Sequence, residues 1–377
     1  MRQILMRGKA ARETETICLI NVESQLRSDH PLREVKRMCR EVLKALEPEF
    51  ARMVAAKGRP SIPPERLLMA WILMCLYGVR SCRRFTEELP FNLLYKWFLD
   101  MNPDEEGFDS TSFSKNLGRM RTGHVSELFF AEVVELAKSR GWVSNEHFSV
   151  DGTLIEAWAS AKSFRRKDEP PPPPEERNGW VDFKGEKRSN ETHASTTDPE
   201  AKLVKHSEGD AAKLRYAMHA VSENRNGLLV LLDVKQAVGE RCAEHEAASD
   251  QLDELTYRGF NVKTVGADKG YHTKAFVQEC RDRSIAPHVA RVKGRRTPGL
   301  DGRTTRSAAY KVSQRLRKRI EENFGWMKAF GNFRKSRWKG AEKTHFVAQF
   351  VGSAWNLMRM AKLSLAEANL PLRPAAA

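Results

Sequence analysis

The chain has few cysteines and sets none of them in a pattern. Six are scattered through 377 residues (Cys18, Cys39, Cys75, Cys82, Cys242 and Cys280), without a Cys-x-x-Cys pair or a histidine at matching spacing. That excludes a disulfide scaffold and a zinc site and leaves reduced thiols. Long apolar runs are missing too. The most apolar, Leu67 to Gly78, is twelve residues long, whereas a bilayer-spanning helix needs about 20. It reads as a core helix, and no membrane partner is expected. Met1 to Arg12 lacks the apolar stretch and small-residue cleavage site of a secretory signal, so a cytoplasmic location is expected. Acidic residues are outnumbered, 49 Asp and Glu against 64 Lys and Arg, for a formal charge of +15. Such an excess favours a polyanionic partner, nucleic acid before any other.

The length suits two or three domains. Residues 1–140 read as an all-helical domain for DNA binding and assembly, with apolar periodicity at Leu32 to Leu46, Pro64 to Tyr77, Cys82 to Leu89 and Val125 to Ser139. The Asp109, Ser110, Thr111 cluster is an N-cap before Phe113 to Met120. Short basic helices here suit a helix-turn-helix-like reader, with Arg80, Arg83, Arg84, Lys115, Arg119 and Arg121 available to phosphates. At His147 the pattern turns to strand alternation, which opens a mixed α/β domain over 141–362, followed by a tail at 363–377. Ser160 to Asp210, with the proline run Pro170 to Pro174, breaks all periodicity and reads as a disordered insertion. Lys213 to Ser222 and Leu228 to Gln236 flank Asn226-Gly227 and predict a hairpin with a type I′ turn. A helix follows at Ala243 to Tyr257, a strand at Val262 to Ala267, a helix at Thr273 to Arg283 and a strand at Ile285 to Ala290. A basic linker, Arg291 to Arg306, leads to one long helix from Ser313 to Phe330.

Two strands deliver carboxylates beside glycines. Asp151 ends a strand in Ser149-Val150-Asp151-Gly152-Thr153, and Asp268 ends another in Val265-Gly266-Ala267-Asp268-Lys269-Gly270. A glycine there lets something approach the backbone closely. On a wheel of about 100° per residue with Ile320 at zero, Leu316, Phe324 and Met327 form the buried stripe. Arg317, Lys328 and Glu321 then share one flank at roughly 60° to 100°, while Glu322 points away at roughly 200°. Three hard oxygen ligands without Cys or His suit Mg²⁺ or Mn²⁺. Two such ions about 3.5–4 Å apart serve in-line displacement at phosphorus. Phosphodiester cleavage is the natural reaction class.

The residues resemble the DDE transposases of bacterial insertion sequences, specifically the related fourth and fifth insertion-sequence families. Val150 to Trp158 is similar to the family's first-Asp strand, and Ala267-Asp268-Lys269-Gly270-Tyr271 to its second-Asp motif. Arg317, Glu321 and Lys328 match the spacing of the third motif, whose leading Tyr is Gln314 here. The resemblance implies an RNase H-like catalytic core and two Mg²⁺ or Mn²⁺ ions on Asp151, Asp268 and Glu321. It also implies DNA contacts by Arg317 and Lys328 near the scissile phosphate, and an N-terminal helical domain, Pro60 to Met120, that takes part in recognising the element ends.

The implied reaction is cleavage at the element end by water, then attack of the freed 3′ hydroxyl on target DNA without a covalent protein intermediate. None of Ser149, Tyr271 or Tyr310 is needed as nucleophile. The partners are terminal inverted repeats and target DNA, with a homodimer joining two ends and no nucleotide cofactor. Further phosphate contacts are expected from Lys269, from Arg303 in the linker, and from Arg334 and Arg337 near Lys335 and Lys339. Trp326 lies off the apolar stripe and is expected against the final helix, His345 to Met360, before a DNA base. Two other readings are a non-catalytic DNA-binding descendant of such an enzyme and an RNase H-fold nuclease that cuts without joining.

Overall fold

The computed structural model describes residues 21–53, 61–169, 188–207, 209–239 and 241–368. The N-terminal region is helical: α1 (Val22–Gln25), α2 (Pro31–Ala45), α3 (Glu47–Met53), α4 (Pro64–Leu76), α5 (Cys82–Glu88), α6 (Leu93–Phe98), α7 (Ser110–Thr122) and α8 (Val125–Ser139). Local chemistry sets these boundaries. Pro64 stands in the first turn of α4, where its missing N–H costs nothing. The Asp109 carboxylate accepts from Ser112 N at 2.8 Å and caps α7. Helix α4 is buried from Leu67 to Cys75 on every side, as a core helix must be.

The strands are β1 (His147–Glu156), β2 (Phe164–Arg166), β3 (His193–Ser195), β4 (Lys202–Val204), β5 (Lys213–Glu223), β6 (Leu229–Gln236), β7 (Thr264–Ala267) and β8 (Ala286–Val289). Between and after them run α9 (Glu244–Tyr257), α10 (Lys274–Asp282), α11 (Gly302–Thr305), α12 (Ala308–Leu316), α13 (Arg319–Ala329) and α14 (Ala341–Ala368). The main sheet has the order β6-β5-β1-β7-β8, and β4 pairs with the first residues of β5 beside β6. β6, β5 and β1 form an antiparallel meander, while β7 and β8 run parallel to β1 after helical crossovers. This is the RNase H-like order, in a mixed α/β fold with a helical N-terminal region.

Four local expectations are corrected. The stretch 160–210 is not devoid of secondary structure. β2 pairs with β3, β4 joins the main sheet, and residues 170–187, which hold the proline run, lie outside the described residues. Anchors of tertiary origin hold it. Phe164 stacks on His193 at 5.5 Å, and buried Asp198 accepts from Tyr216 Oη at 2.7 Å and from Gly340 N at 3.2 Å. The hairpin between β5 and β6 does not use a two-residue turn, because its last backbone bond joins Glu223 N to Leu228 O. The buried Glu223 carboxylate instead accepts from the backbone N–H of Arg225, Asn226 and Leu228. The expected helix from Ser313 to Phe330 is two helices. At Arg317 and Lys318 the bonding tightens to i→i+3, and Arg319 turns its guanidinium to the carbonyls of Asn224 and Arg225. Finally, α14 runs to Ala368, into the expected tail.

The N-terminal helices and the catalytic sheet share one hydrophobic core. Helix α14 packs on α2, α4 and α8 on one side and on β6 on the other. Gly352 permits that approach, since a Cβ there would lie 3.0 Å from Leu232 and 3.1 Å from Phe130. Across the same interface His345 of α14 stands 3.2 Å from Asp233 of β6 and 3.5 Å from Glu127 of α8. Burial opposes its charge, but the Asp233 and Glu127 carboxylates outweigh burial and raise its pKa to about 9. Val234 N also lies 3.2 Å from its Nδ1, a bond that only an unprotonated nitrogen accepts; two carboxylates prevail over one amide. A histidine pKa raised in the folded state contributes stability fully present below the unfolded value near 6.5 and lost as pH rises towards 9. The urea midpoint is therefore expected to fall between pH 6.5 and 9 in wild type, with a flatter profile in His345→Gln. An equally steep fall in the variant would show that another group sets the slope.

Candidate active site

β1 is hydrogen-bonded on both edges at its start and again at its last residue, Glu156, but not in between. With β5 it pairs from Phe148↔Glu223 to Glu156↔Arg215, but with β7 only at His147, Phe148 and Ser149. Beyond Ser149 the two parallel strands part. β7 ends at Ala267, and Asp268 follows at the mouth of the gap. Asp151 does not end its strand as expected; it lies mid-strand, since β1 continues to Glu156. It is the neighbour strand that ends, and this opens the space into which both aspartates turn.

Side chains alternate across a strand, so Ser149, Asp151 and Thr153 share one face. Helices α12 and α13 cover that face. Lys328 donates from Nζ to Thr153 Oγ1, and the Asn323 amide meets the hydroxyl of Ser222, which is opposite Ser149, at 3.2 Å. Arg317, half-buried at the α12–α13 junction, draws the Asp151 pKa down, and its buried Nε has no hydrogen-bond partner among the described residues. Gln314, at the position of the family's tyrosine, latches α12 to the sheet by donating to the carbonyls of Ala267 at 3.3 Å and of His288.

The aspartates are held by their own loops and press on each other. Asp151 Oδ1 accepts from Gly152 N at 2.9 Å, and Asp268 Oδ1 from Gly270 N at 2.7 Å. Burial pushes the Asp151 carboxyl up to about 7; the Gly152 N–H opposes this, and the charges of Asp268 and Glu244 add to it. Glu244 is the residue that sequence reasoning missed. It opens α9 on the opposite face, where Gly152 looks, and a methyl built on Gly152 would lie 3.0 Å from its Cγ and Oε1. One built on Gly270 would lie 3.0 Å from Asp268 Oδ1 and 3.6 Å from Glu244 Oε2. An acid in a first helical turn is commonplace, so only the two glycines hinted at it.

Glu321 is exposed in the first turn of α13, on the flank that Lys328 occupies two turns later. Lys269 is exposed beside Asp268. Arg334 is exposed and lowers the Lys328 pKa after burial has done so, which places it close to that lysine. Arg337 donates to Arg80 O at 3.0 Å and lies 5.7 Å from the ring of the exposed Trp158, as does Lys335. Arg303 is turned to Asp301 at 2.8 Å on α11, which packs beside β8; it is not brought to the aspartates. Trp326 packs on Trp355 of α14 at 5.7 Å, as expected. Burial raises the Tyr271 pKa well above its ordinary value, which suits a structural phenol better than a nucleophile.

Among the described residues no three Asp, Glu, His or Cys side chains are already drawn into a closed metal-ligand set. The donors nevertheless fit a hard divalent cation: carboxylate oxygens from separate elements converge where Gly152 and Gly270 leave a cradle that a Cβ would fill. A raised aspartate pKa costs folded-state stability as pH climbs from about 4 to about 7. In EDTA, Asp151→Asn is expected to be more stable than wild type at pH 8 by on the order of 4 kcal/mol and equal to it near pH 4. Urea denaturation at the two pH values tests this, and a variant less stable at pH 8 would refute it.

Family models place the chain. A Transposase domain model matches residues 20–119, and a Transposase DDE domain model matches residues 145–357, more than half of the chain. No curated protein matches. Similar solved structures include a pre-cleavage Mos1 transpososome, 9% identical over 82% of each chain with a TM-score of 0.22. Another is a Mos1 transposase paired-end complex with the left transposon end, 9% identical over 74% of this chain and 83% of that one, with a TM-score of 0.20. Likeness at that level adds nothing to the sheet order. The match over residues 145–357 decides the question: the chain belongs to the DDE transposases, enzymes that move DNA.

Proposed function

We propose that this transposase cuts at the terminal inverted repeats of an insertion sequence of the fourth or fifth family and joins the freed ends to target DNA. The observation that carries this reading is the meeting of Asp151 and Asp268 where β1 and β7 part, with Arg317 and Lys328 on the flank. Asp151, Asp268 and Glu321 would hold two Mg²⁺ or Mn²⁺ ions, which supply activation of the attacking oxygen and charge stabilisation at phosphorus when bound. Water attacks the phosphorus and the P–O3′ bond breaks, leaving a 3′ hydroxyl and a 5′ phosphate. That hydroxyl attacks a target phosphorus, forms the new diester and releases a target 3′ hydroxyl.

The protein's own groups orient the backbone. Half-buried Arg317 places one cation beside Asp151, and Lys328, held by Thr153, places a second. Lys269, Arg334 and Arg337 extend the contact, and Arg303 serves DNA beyond the cleft. Trp158 offers a stacking face between two cations on the strand that carries Asp151. The helices of 1–140 read the element ends, and two copies pair two ends.

Cleavage and joining of a DNA fragment bearing the flanks of the gene, with Mg²⁺ or Mn²⁺, tests the reading. Joined product supports it, and nicked product alone favours a nuclease. Asp151→Asn and Asp268→Asn are expected to bind the ends and cut none; retained cutting removes that residue. Trp158→Ala is expected to weaken DNA binding by ~1–3 kcal/mol, read by titration at fixed salt. Binding should weaken steeply with salt, as phosphate contacts release counterions, and a flat response would sink the electrostatic account.

A further inference from the structure

The family's motif supplies the third carboxylate from α13, on the Asp151 face of the sheet. A carboxylate also reaches the two aspartates from the opposite face, and it belongs to no part of that motif. Helix α9 begins at Glu244, beside the gap left where β1 and β7 part. Three things about its placement are unusual for a residue in a first helical turn. It is packed against the backbone at Gly152, where any side chain would displace it, since a Cβ there would sit 3.0 Å from its Cγ. It reaches Gly270 on the far lip, with Oε2 3.6 Å and Asp268 Oδ1 3.0 Å from the same constructed Cβ position. Its carboxylate faces like charge and has no lysine or arginine ion-pair partner among the described residues, whereas Arg241 and Lys235 nearby both pair with Asp250. Glu244 stays open to solvent at the mouth of the gap, yet its carboxylate stands beside Asp268 and acts on Asp151, with His206 and His245 as the nearby groups that offset the repulsion. Such a juxtaposition costs energy unless a cation offsets it.

We propose that Glu244 supplies a carboxylate to the divalent cation held by Asp151 and Asp268, so that the centre is built from both faces of the sheet. This rests on the metal-dependent reading above. Gly152 and Gly270 are then required for a reason beyond the turn: they leave the backbone bare where Glu244 crosses the gap. Glu321, exposed on the other face, completes the set from the DNA side.

The test is Mn²⁺ binding to the full chain without DNA, by calorimetry and by the loss of the free-ion electron paramagnetic resonance signal. Wild type, Asp151→Asn, Asp268→Asn, Glu244→Gln and Glu321→Gln are compared, with thermal unfolding in EDTA as the check on folding. Glu244→Gln is expected to weaken Mn²⁺ binding about tenfold or more while unfolding at or above the wild-type temperature, as removal of a repelled charge should. Gly152→Ala, which displaces Glu244 and keeps its charge, is expected to weaken Mn²⁺ binding in the same direction. If Glu244→Gln binds Mn²⁺ as wild type does while both aspartate variants lose it, Glu244 is no ligand and the metal reading stands. If neither aspartate variant changes Mn²⁺ binding, the metal reading falls and this inference with it.

Discussion

The acidic cleft exists because β1 and β7 share only three residues of pairing. A strand hydrogen-bonded along both edges would seal its neighbours together and leave no room between Asp151 and Asp268. Here β5 holds β1 over its whole length, which fixes the direction of every side chain, while β7 lets go after Ser149. The free edge is caught again at its far end, where Glu156 N donates to Arg334 O and Ser336 N to Glu156 O. The unpaired interval in between is the candidate site. It lies at the junction where an antiparallel meander gives way to parallel crossovers, the kind of place where a sheet can open without losing its core.

Charge is distributed to match that opening. Basic residues of the N-terminal helices are paired locally: Arg83 with Glu87, Arg84 with Glu88 and Arg37 with Glu34 and Glu41. Exposed i,i+4 pairs of this sort contribute little stability, but they remove basic groups from the pool available to DNA. Among the described residues, Arg317, Lys328 and Arg337 beside the cleft form no such ion pair. The buried Arg317 Nε has no acceptor among the described residues, Lys328 donates to a hydroxyl, and Arg337 rests on a carbonyl and an indole. Carboxylates at the centre and unspent cations at the rim suit a substrate that is itself a line of phosphates.

Local pattern carried most of the catalytic half. β7, β8, α9 and α10 fall within two residues of the periodicity, because each is a short element whose apolar side faces one core. The aspartates were legible because each is followed by a glycine within two positions. What local pattern could not carry was set by contacts between distant segments. The break at Arg317 and Lys318 follows from Arg319 reaching the carbonyls of Asn224 and Arg225, ninety-odd residues away. The anchoring of 188–204 depends on Asp198 meeting Tyr216 and Gly340. Glu244 was invisible for the same reason: nothing in Cys242 to Glu246 differs from an ordinary helix start, and only its approach to Gly152 sets it apart.

The boundary near residue 140 is a boundary of composition more than of packing. α2, α4 and α8 bury their apolar faces on α14, and α14 buries its own on β6, the outer strand of the antiparallel meander. An N-terminal reader tethered by a flexible linker would leave the sheet indifferent to what the helices bind. Here the helices and the sheet share Phe129, Phe130, Leu232 and Phe350 in one cluster, and close-packed interiors transmit displacements because they lack the voids to absorb them. The contact continues at the surface, where Asn332 donates to Gly78 O and Arg337 to Arg80 O, just after α13. The N-terminal helices are thus tied, by packing and by these hydrogen bonds, to the turn that follows Lys328.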